Sequence, residues 1–488
     1  MHKHYDVLVV GSGVSGLNTA LSIDPKFSVL MICKRELPLS NSSLAQGGIA
    51  AVWDFSYDSP ATHFHDTFVA GGYKNDAAAV AKLVSCGPQA IRRLIDYGVD
   101  FDKAEDGSEH LTLEGGHSCP RILHHKDATG AELVDKMILC AKERGNIDIL
   151  ENTYLCEIQK SGSGFAYDLL LADGAHAFGT SQFTVFATGG IGRVYKYTTN
   201  SAIATGDGIA FAHAMGAKIQ ELSWVQFHPT AFAHKDRERF LISESVRGEG
   251  AWLLNCNHER FVSHYDERGE LAPRDVVSHA VMLESERMHS EEFYIDITRE
   301  DPNYIRRRFP LIFQHLLEAG FDMTKDPIPV FPCQHYLMGG IAVDLHARTT
   351  VDGLYAVGEC SRTGVHGHNR LASNSLLEAV VFSSAAAQDI SHKLNTFSYP
   401  AVPPIPFSPE SKTGHLGAGV RTEIRSIMQE NYFVIPKYDN IPVSYKRVQE
   451  ILHHLNHGSF AFDPHFLEAR SLATVASIIL KEVLQTQC

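Results

Sequence analysis

Three stretches of this sequence predict an α/β fold: a Rossmann-like domain interrupted by an α+β insertion and followed by a helical bundle. The first, Asp6-Val7-Leu8-Val9-Val10-Gly11-Ser12-Gly13-Val14-Ser15-Gly16, runs from an apolar strand into a glycine-rich turn of GxGxxG spacing. The second, residues 224–334, breaks the strand–helix rhythm around it. The third follows the run Pro400-Ala401-Val402-Pro403-Pro404-Ile405-Pro406, which cannot be helix and reads as a stiff linker. Beyond it Val448, Ile451, Leu452, Leu455 and Leu472, Val475, Ala476, Ile479, Val483 keep the spacing of helical packing stripes.

In the first unit, Val7 to Val10 form the unbroken apolar run of a parallel strand covered on both faces. Gly11 permits the tight turn, Gly13 admits a pyrophosphate to the backbone, and Gly16 lets the next helix, over 14–23, lie close to the strand. Ser12, Val14 and Ser15 complete the loop, whose free amides at the helix start suit a diphosphate. A second strand is expected over 27–32. The acidic residue usual at its end is missing; Cys33 and Lys34 stand there, with Glu36 two residues on, so this position does not separate FAD from NAD(P).

Ser40 to Val52 is a polar loop with Gln46-Gly47-Gly48, placed where the reactive end of a dinucleotide would run. Helices are expected over 77–97 and 131–144 and a strand over 147–155, and the loop Leu113 to Ser118 carries a carboxylate, Glu114. Phe183 to Phe186 reads as a buried strand that ends in Ala187, Thr188, Gly189 and Gly190. Gly206-Asp207-Gly208 precedes a short helix, and Gly353 to Val357 is one more strand, closing on Glu359. These strand ends read as edges of one cofactor site, with Asp207 and Glu359 as acceptors for ribose or ribityl hydroxyls. The expected domains are 1–222 and 337–400 for the two parts of the nucleotide-binding unit, 223–336 for the insertion and 407–488 for the bundle.

Composition bounds the function. The 488 residues carry 44% hydrophobic and 20% charged side chains, as in ordinary globular proteins, and a net charge of −14. That charge argues against nucleic acid or an anionic membrane as a bulk partner. Nine cysteines form no CxxC pair and are odd in number, which speaks against metal or iron–sulfur ligation and against a disulfide framework. A reducing cytoplasm is the expected setting. No secretory pattern precedes the first strand, and no apolar window has the length of a membrane span.

Read together, the motifs resemble the succinate dehydrogenase/fumarate reductase flavoprotein family over nearly the whole chain. The resemblance rests on Gly11 to Gly16, Ala45-Gln46-Gly47-Gly48-Ile49-Ala50, Ala187-Thr188-Gly189-Gly190, Thr205-Gly206-Asp207-Gly208 and Gln226-Phe227-His228-Pro229-Thr230. It continues through Arg247-Gly248-Glu249-Gly250, Pro273-Arg274-Asp275, His335-Tyr336 with Gly339-Gly340, and Asn369 to Leu377. It implies FAD as cofactor, held by the glycine loop, Lys34, Ser40, Gln46 to Gly48, Ala187 to Gly189, Asp207, Glu359, Asn374, Ser375 and Leu376. The insertion becomes a capping domain, with a dicarboxylate bound at its junction by Gln226, His228, Ser243, His335 and Arg370. Physically these groups make a dianion pocket, in which Arg370 can hold one carboxylate through two bonds.

Arg274 is the residue that the resemblance assigns to proton transfer. With an intrinsic pKa above about 12, it can serve only if buried among other cations and coupled to carboxylates; otherwise it is a fixed clamp. Glu114 would repel a plain diacid and attract an ammonium, so the resemblance implies oxidation of L-aspartate to iminoaspartate by hydride loss from C2. The same resemblance implies reoxidation by dioxygen or fumarate, and passage of the product to quinolinate synthase on the way to NAD. The alternative is a soluble fumarate reductase or succinate dehydrogenase flavoprotein. Two departures stand out. Asn41 occupies the place where membrane-bound relatives carry the histidine that bonds the flavin, so the FAD should be dissociable, and Ser243 stands where relatives often have threonine.

Overall fold

A computed structural model describes residues 3–234, 239–409 and 412–486. Cys488, one of the nine cysteines, lies outside them. The first strand, Lys3–Val10, pairs in parallel with Val29–Ile32 on one side and His176–Phe186 on the other. The full sheet has seven strands in the order Ile147–Leu150, Val29–Ile32, Lys3–Val10, His176–Phe186, Gly164–Leu170, Tyr154–Ser161, with Leu354–Ala356 also joined in parallel to His176–Phe186. Its parallel half is buried on both faces, which is why Val7, Leu8, Val9, Val29 and Met31 are apolar without alternation.

The helix Val14–Ser22 starts directly after the first strand, and its residues 14–21 are all buried. Gly16 sits so close to the turn that a Cβ there would lie 2.0 Å from the Gly11 carbonyl oxygen, and Gly11 holds φ +118. The helix is clasped from the far side by Asn374–Thr396: Asn18 donates to the Val380 carbonyl at 3.0 Å and to Ser383 at 2.7 Å.

Two expected strands need correction. The second begins at Val29 rather than residue 27. The run over 147–155 is two strands, Ile147–Leu150 and Tyr154–Ser161, on opposite edges of the sheet. The polar Glu151-Asn152-Thr153 separates them, and Asn152 takes a left-handed φ of +51, a conformation asparagine tolerates. The expected helices, strand ends and short Asp207–Ala214 helix are present with shifts of a residue or two.

Residues between Val225 and Leu337 form a separate four-stranded sheet, Val225–Phe232, Ile328–Leu337, Tyr294–Asp296, Trp252–Leu254, covered by the helix Arg274–Met288. Phe261, Phe293 and Phe309 fill its core. Pro229 lacks the amide proton a ladder needs, and the register against Ile328–Leu337 shifts between His228 and Ala231. The proline-rich run has no regular structure. After it come the helices Val420–Asn431, Ile441–His457 and Pro464–Thr486. Among the described residues no helix is long and apolar enough to cross a membrane.

Candidate active site

One cavity of about 720 Å³ runs past the glycine turn to the junction between the large sheet and the four-stranded one. Ser12, Gly13 and Ser15 line its middle, Lys34 and Asp207 one end, and Glu114, Arg274, His335 and Arg370 the other. Its size is that of a ligand pocket, generally about 300–1,000 Å³.

The charged end is built on Gln226. Its side-chain oxygen accepts from Arg274 Nη1 at 3.0 Å and Arg370 Nη2 at 3.2 Å, while its nitrogen donates to Asn369 at 2.7 Å and to the Arg370 carbonyl at 3.0 Å. Gln226 therefore sets the spacing of two cations from behind; it is not itself on the cavity wall. Arg370 stacks on Tyr336, its guanidinium 4.3 Å from the ring centre, and donates to Ser375 at 3.1 Å. Burial, reinforced by the neighbouring Arg274, pulls the Arg370 guanidinium down to about 10.

Arg274 opens its helix after Pro273 and gives its Nε to Glu244 at 2.5 Å. Glu244 is also 3.4 Å from Arg247, so the three form a buried string. Burial alone would push the Glu244 carboxyl up, but Arg274 and Arg247 outweigh it and hold it below its ordinary value. Neither Glu244 nor Arg247 stood out in the sequence as a site residue. The only signal was the Arg247-Gly248-Glu249 motif, and an acid in Ser243-Glu244-Ser245 reads like any surface carboxylate.

Glu114 is buried beside this string. Its oxygens accept from Ser373 at 2.6 Å and Ser245 at 3.3 Å. Burial raises its carboxyl above the usual range, and the nearby Glu244 adds to the shift. Ser243 lines the cavity and caps the short helix Glu244–Gly248. His335 accepts or donates at Thr199, 2.8 Å away, and meets the His228 ring edge-on at 5.0 Å between centres. Burial, Arg274 and the other cations keep both imidazoles neutral, well below their ordinary pKa. His228 itself lies behind the wall, with its Nε2 buried and unpartnered.

The rest of the cavity fits FAD. Gln46 Oε1, Asn200 Oδ1 and Ser201 Oγ are buried on the wall with no partner in the protein. Buried polar atoms are rarely left so, and such groups await a polar ligand. Of the residues expected at the cofactor, Gly11, Ser12, Gly13, Ser15, Lys34, Ser40, Gln46, Gly47, Gly48, Ala187, Thr188, Gly189, Asp207, Glu359, Ser375 and Leu376 line the cavity. Val14, Gly16 and Asn374 do not. The Asn374 side chain instead braces His63 at 2.8 Å and Thr67 at 3.1 Å. Asn41 lines the wall and accepts from the Ser201 amide at 2.8 Å. One trio of metal-ligating types, Cys156, Asp168 and His176, comes within 4.8 Å among the described residues, where His176 already binds Asp168 at 2.8 Å.

Glu359 accepts from the Leu337 amide at 3.0 Å, and burial raises its carboxyl to about 7. A carboxyl raised on folding favours the folded state below its unfolded pKa, and that advantage is lost as pH climbs through the folded value. Glu359→Gln should therefore stabilise the apoprotein at pH 8 by up to about 3 kcal/mol and leave it unchanged near pH 4. Urea unfolding of apoprotein at both pH values measures this.

A dinucleotide loop, a long cavity with unsatisfied polar walls and a cationic end against a second sheet define an FAD-binding flavoprotein. The FAD binding domain family matches residues 6–376. L-Aspartate oxidase of Acinetobacter baylyi is 38% identical over 99% of this chain and 91% of its own, and that of Clostridium perfringens 45% identical over 80% and 87%. The chain belongs to the L-aspartate oxidase family. Its fold is also that of Escherichia coli quinol fumarate reductase, with a TM-score of 0.90 and 27% identity over 99% of this chain and 89% of that one.

Proposed function

We propose that the chain oxidises L-aspartate to iminoaspartate with non-covalent FAD. The observation that carries this reading is a buried carboxylate, Glu114, set beside Arg274 in the cationic end of a flavin cavity. Two arginines and neutral imidazoles suit the two carboxylates of a four-carbon diacid. An added glutamate makes sense only if the diacid also bears a positive group.

Bound FAD supplies the acceptor for the electron pair of the substrate C2–H bond. The protein does the rest. Arg370, fixed by Tyr336 and Ser375, holds a carboxylate, and Ser243 and His335 on the cavity wall donate to the other, with His228 packed behind His335. Glu114 takes the ammonium and so presents C2 in one orientation. As that bond loses its hydride, the ammonium gives up one proton, and the string Arg274, Glu244, Arg247 offers a path for it. Glycine loop, Lys34, Asp207 and Glu359 hold the dinucleotide. Dioxygen or fumarate then takes up the electrons, and the imine product goes on to quinolinate synthase in the cytoplasm.

The fold shared with fumarate reductase favours a second reading, reduction of fumarate. Anaerobic mixing separates the two: L-aspartate should bleach the flavin absorbance, whereas bleaching by succinate alone would establish the second. With Asn41 in place of a bonding histidine, acid and high salt should strip FAD, leaving apoprotein that regains colour on adding it back. Flavin retained on the denatured chain would contradict that.

A further inference from the structure

The sequence leaves one oddity at the cofactor: the second strand ends in Cys33-Lys34 instead of an acid. The structure brings acids there from elsewhere. Lys34 Nζ donates to Thr205 at 2.6 Å, pairs with Asp207 at 2.8 Å and lies 3.7 Å from Glu468. Glu468 belongs to the last helix, Pro464–Thr486, whose stripes read in the sequence as mere bundle packing.

That helix reaches the cavity itself. Leu467 and Ser471 line it together with Lys34, Tyr154, Leu155 and Asp207. In a dinucleotide fold the sugar and base lie beyond the end of the second strand, so this is the adenosine end. The helix is held there at several points. Arg421 pairs with Glu468, Arg470 donates to the Cys156 carbonyl at 2.9 Å, and Glu482 accepts from the Ser223 amide at 2.8 Å. Val475 fits the turn before Asp207 so closely that a Cβ on Gly206 would lie 2.6 Å from it.

We propose that the Pro464–Thr486 helix closes the adenosine end of the FAD site, with Leu467 and Ser471 as its wall and Glu468 as the residue that positions Lys34. This last helix is then part of the cofactor site. This rests on the FAD reading given above. Two consequences separate it from a purely structural role. A bulky side chain at 471 should obstruct the adenosine half of FAD and leave the flavin half alone. Loss of charge at 468 should loosen Lys34 without touching the flavin end.

Wild-type apoprotein, Ser471→Trp, Glu468→Gln and the exposed control Lys481→Ala are titrated with FAD, ADP and FMN, with thermal unfolding to read the fold. Ser471→Trp should weaken FAD and ADP by about tenfold or more, the cost of overfilling a packed site. Glu468→Gln should weaken both by about threefold to tenfold through loss of a charged contact. FMN affinity should stay within about twofold throughout, and Lys481→Ala should match wild type. FAD and ADP affinities unchanged in folded variants would overturn the proposal, as would an equal loss of FMN. If Ser471→Trp does not fold, Glu468→Gln decides alone. Wild-type protein that takes up no FAD would instead remove the reading beneath it.

Discussion

Arg274→Leu should bind FAD as tightly as wild type and reduce it with L-aspartate about a thousandfold more slowly or worse, the range spanned by loss of a proton-transfer group or a transition-state donor. Arg274 touches Gln226 and Glu244 at the cationic end of the cavity, while the residues proposed to hold FAD lie elsewhere on the wall. Its removal leaves Glu244 buried with only Arg247 at 3.4 Å, so part of the carboxylate's compensation is gone. An uncompensated buried charge costs about 3–5 kcal/mol, which predicts a less stable variant whose stability returns in Arg274→Leu/Glu244→Gln while turnover does not. Arg274→Lys distinguishes the two roles left open by its chemistry. A lysine titrates more readily, so a proton-transfer role leaves partial activity with a new pH dependence. A clamp built on two-point geometry is lost in the lysine variant as fully as in leucine. Stopped-flow reduction under anaerobic conditions gives the rate, and a fall of less than tenfold would show Arg274 to be one cation among several.

The fold was legible where local chemistry is decisive. Gly11 and Gly16 announced the turn because a Cβ on Gly16 would strike the Gly11 carbonyl and one on Gly11 the Ala187 carbonyl. What escaped was whatever depends on distant segments meeting. Glu244 looks like a solvated acid until Arg274, thirty residues on, closes on it. Leu467 and Ser471 follow the same apolar stripe that packs a bundle, and nothing in spacing reveals that one edge of the stripe faces a cavity. Gln226 was read as a substrate contact because it stands beside His228 in the motif. The bonds it accepts from Arg274 and Arg370 place it behind the arginines instead. The expected strand over 147–155 failed for a simpler reason: apolar content on both sides of Glu151-Asn152-Thr153 hid a turn.

Glu114→Gln separates amine recognition from diacid binding. The amide keeps the shape, accepting from Ser373 through its oxygen and donating to the Ser245 hydroxyl through its nitrogen, so the loop should hold its place. What disappears is the charge. A buried charged hydrogen bond is worth about 1.5–3 kcal/mol, so kcat/KM for L-aspartate should fall about tenfold to a hundredfold. Fumarate reduction should be spared, because a diacid gains nothing from a third carboxylate beside its own two. The pH profile supplies an independent sign. Burial raises the Glu114 carboxyl, and only the ionised form attracts an ammonium. Aspartate affinity in wild type should therefore hold above that raised pKa and weaken as pH falls through it, while the glutamine variant shows no such weakening. Dissociation constants for aspartate and succinate, measured by flavin perturbation across pH, test both points. Equal losses for the two ligands, or the same acid limb in wild type and variant, would leave Glu114 a structural acid and return the choice of substrate to the arginines.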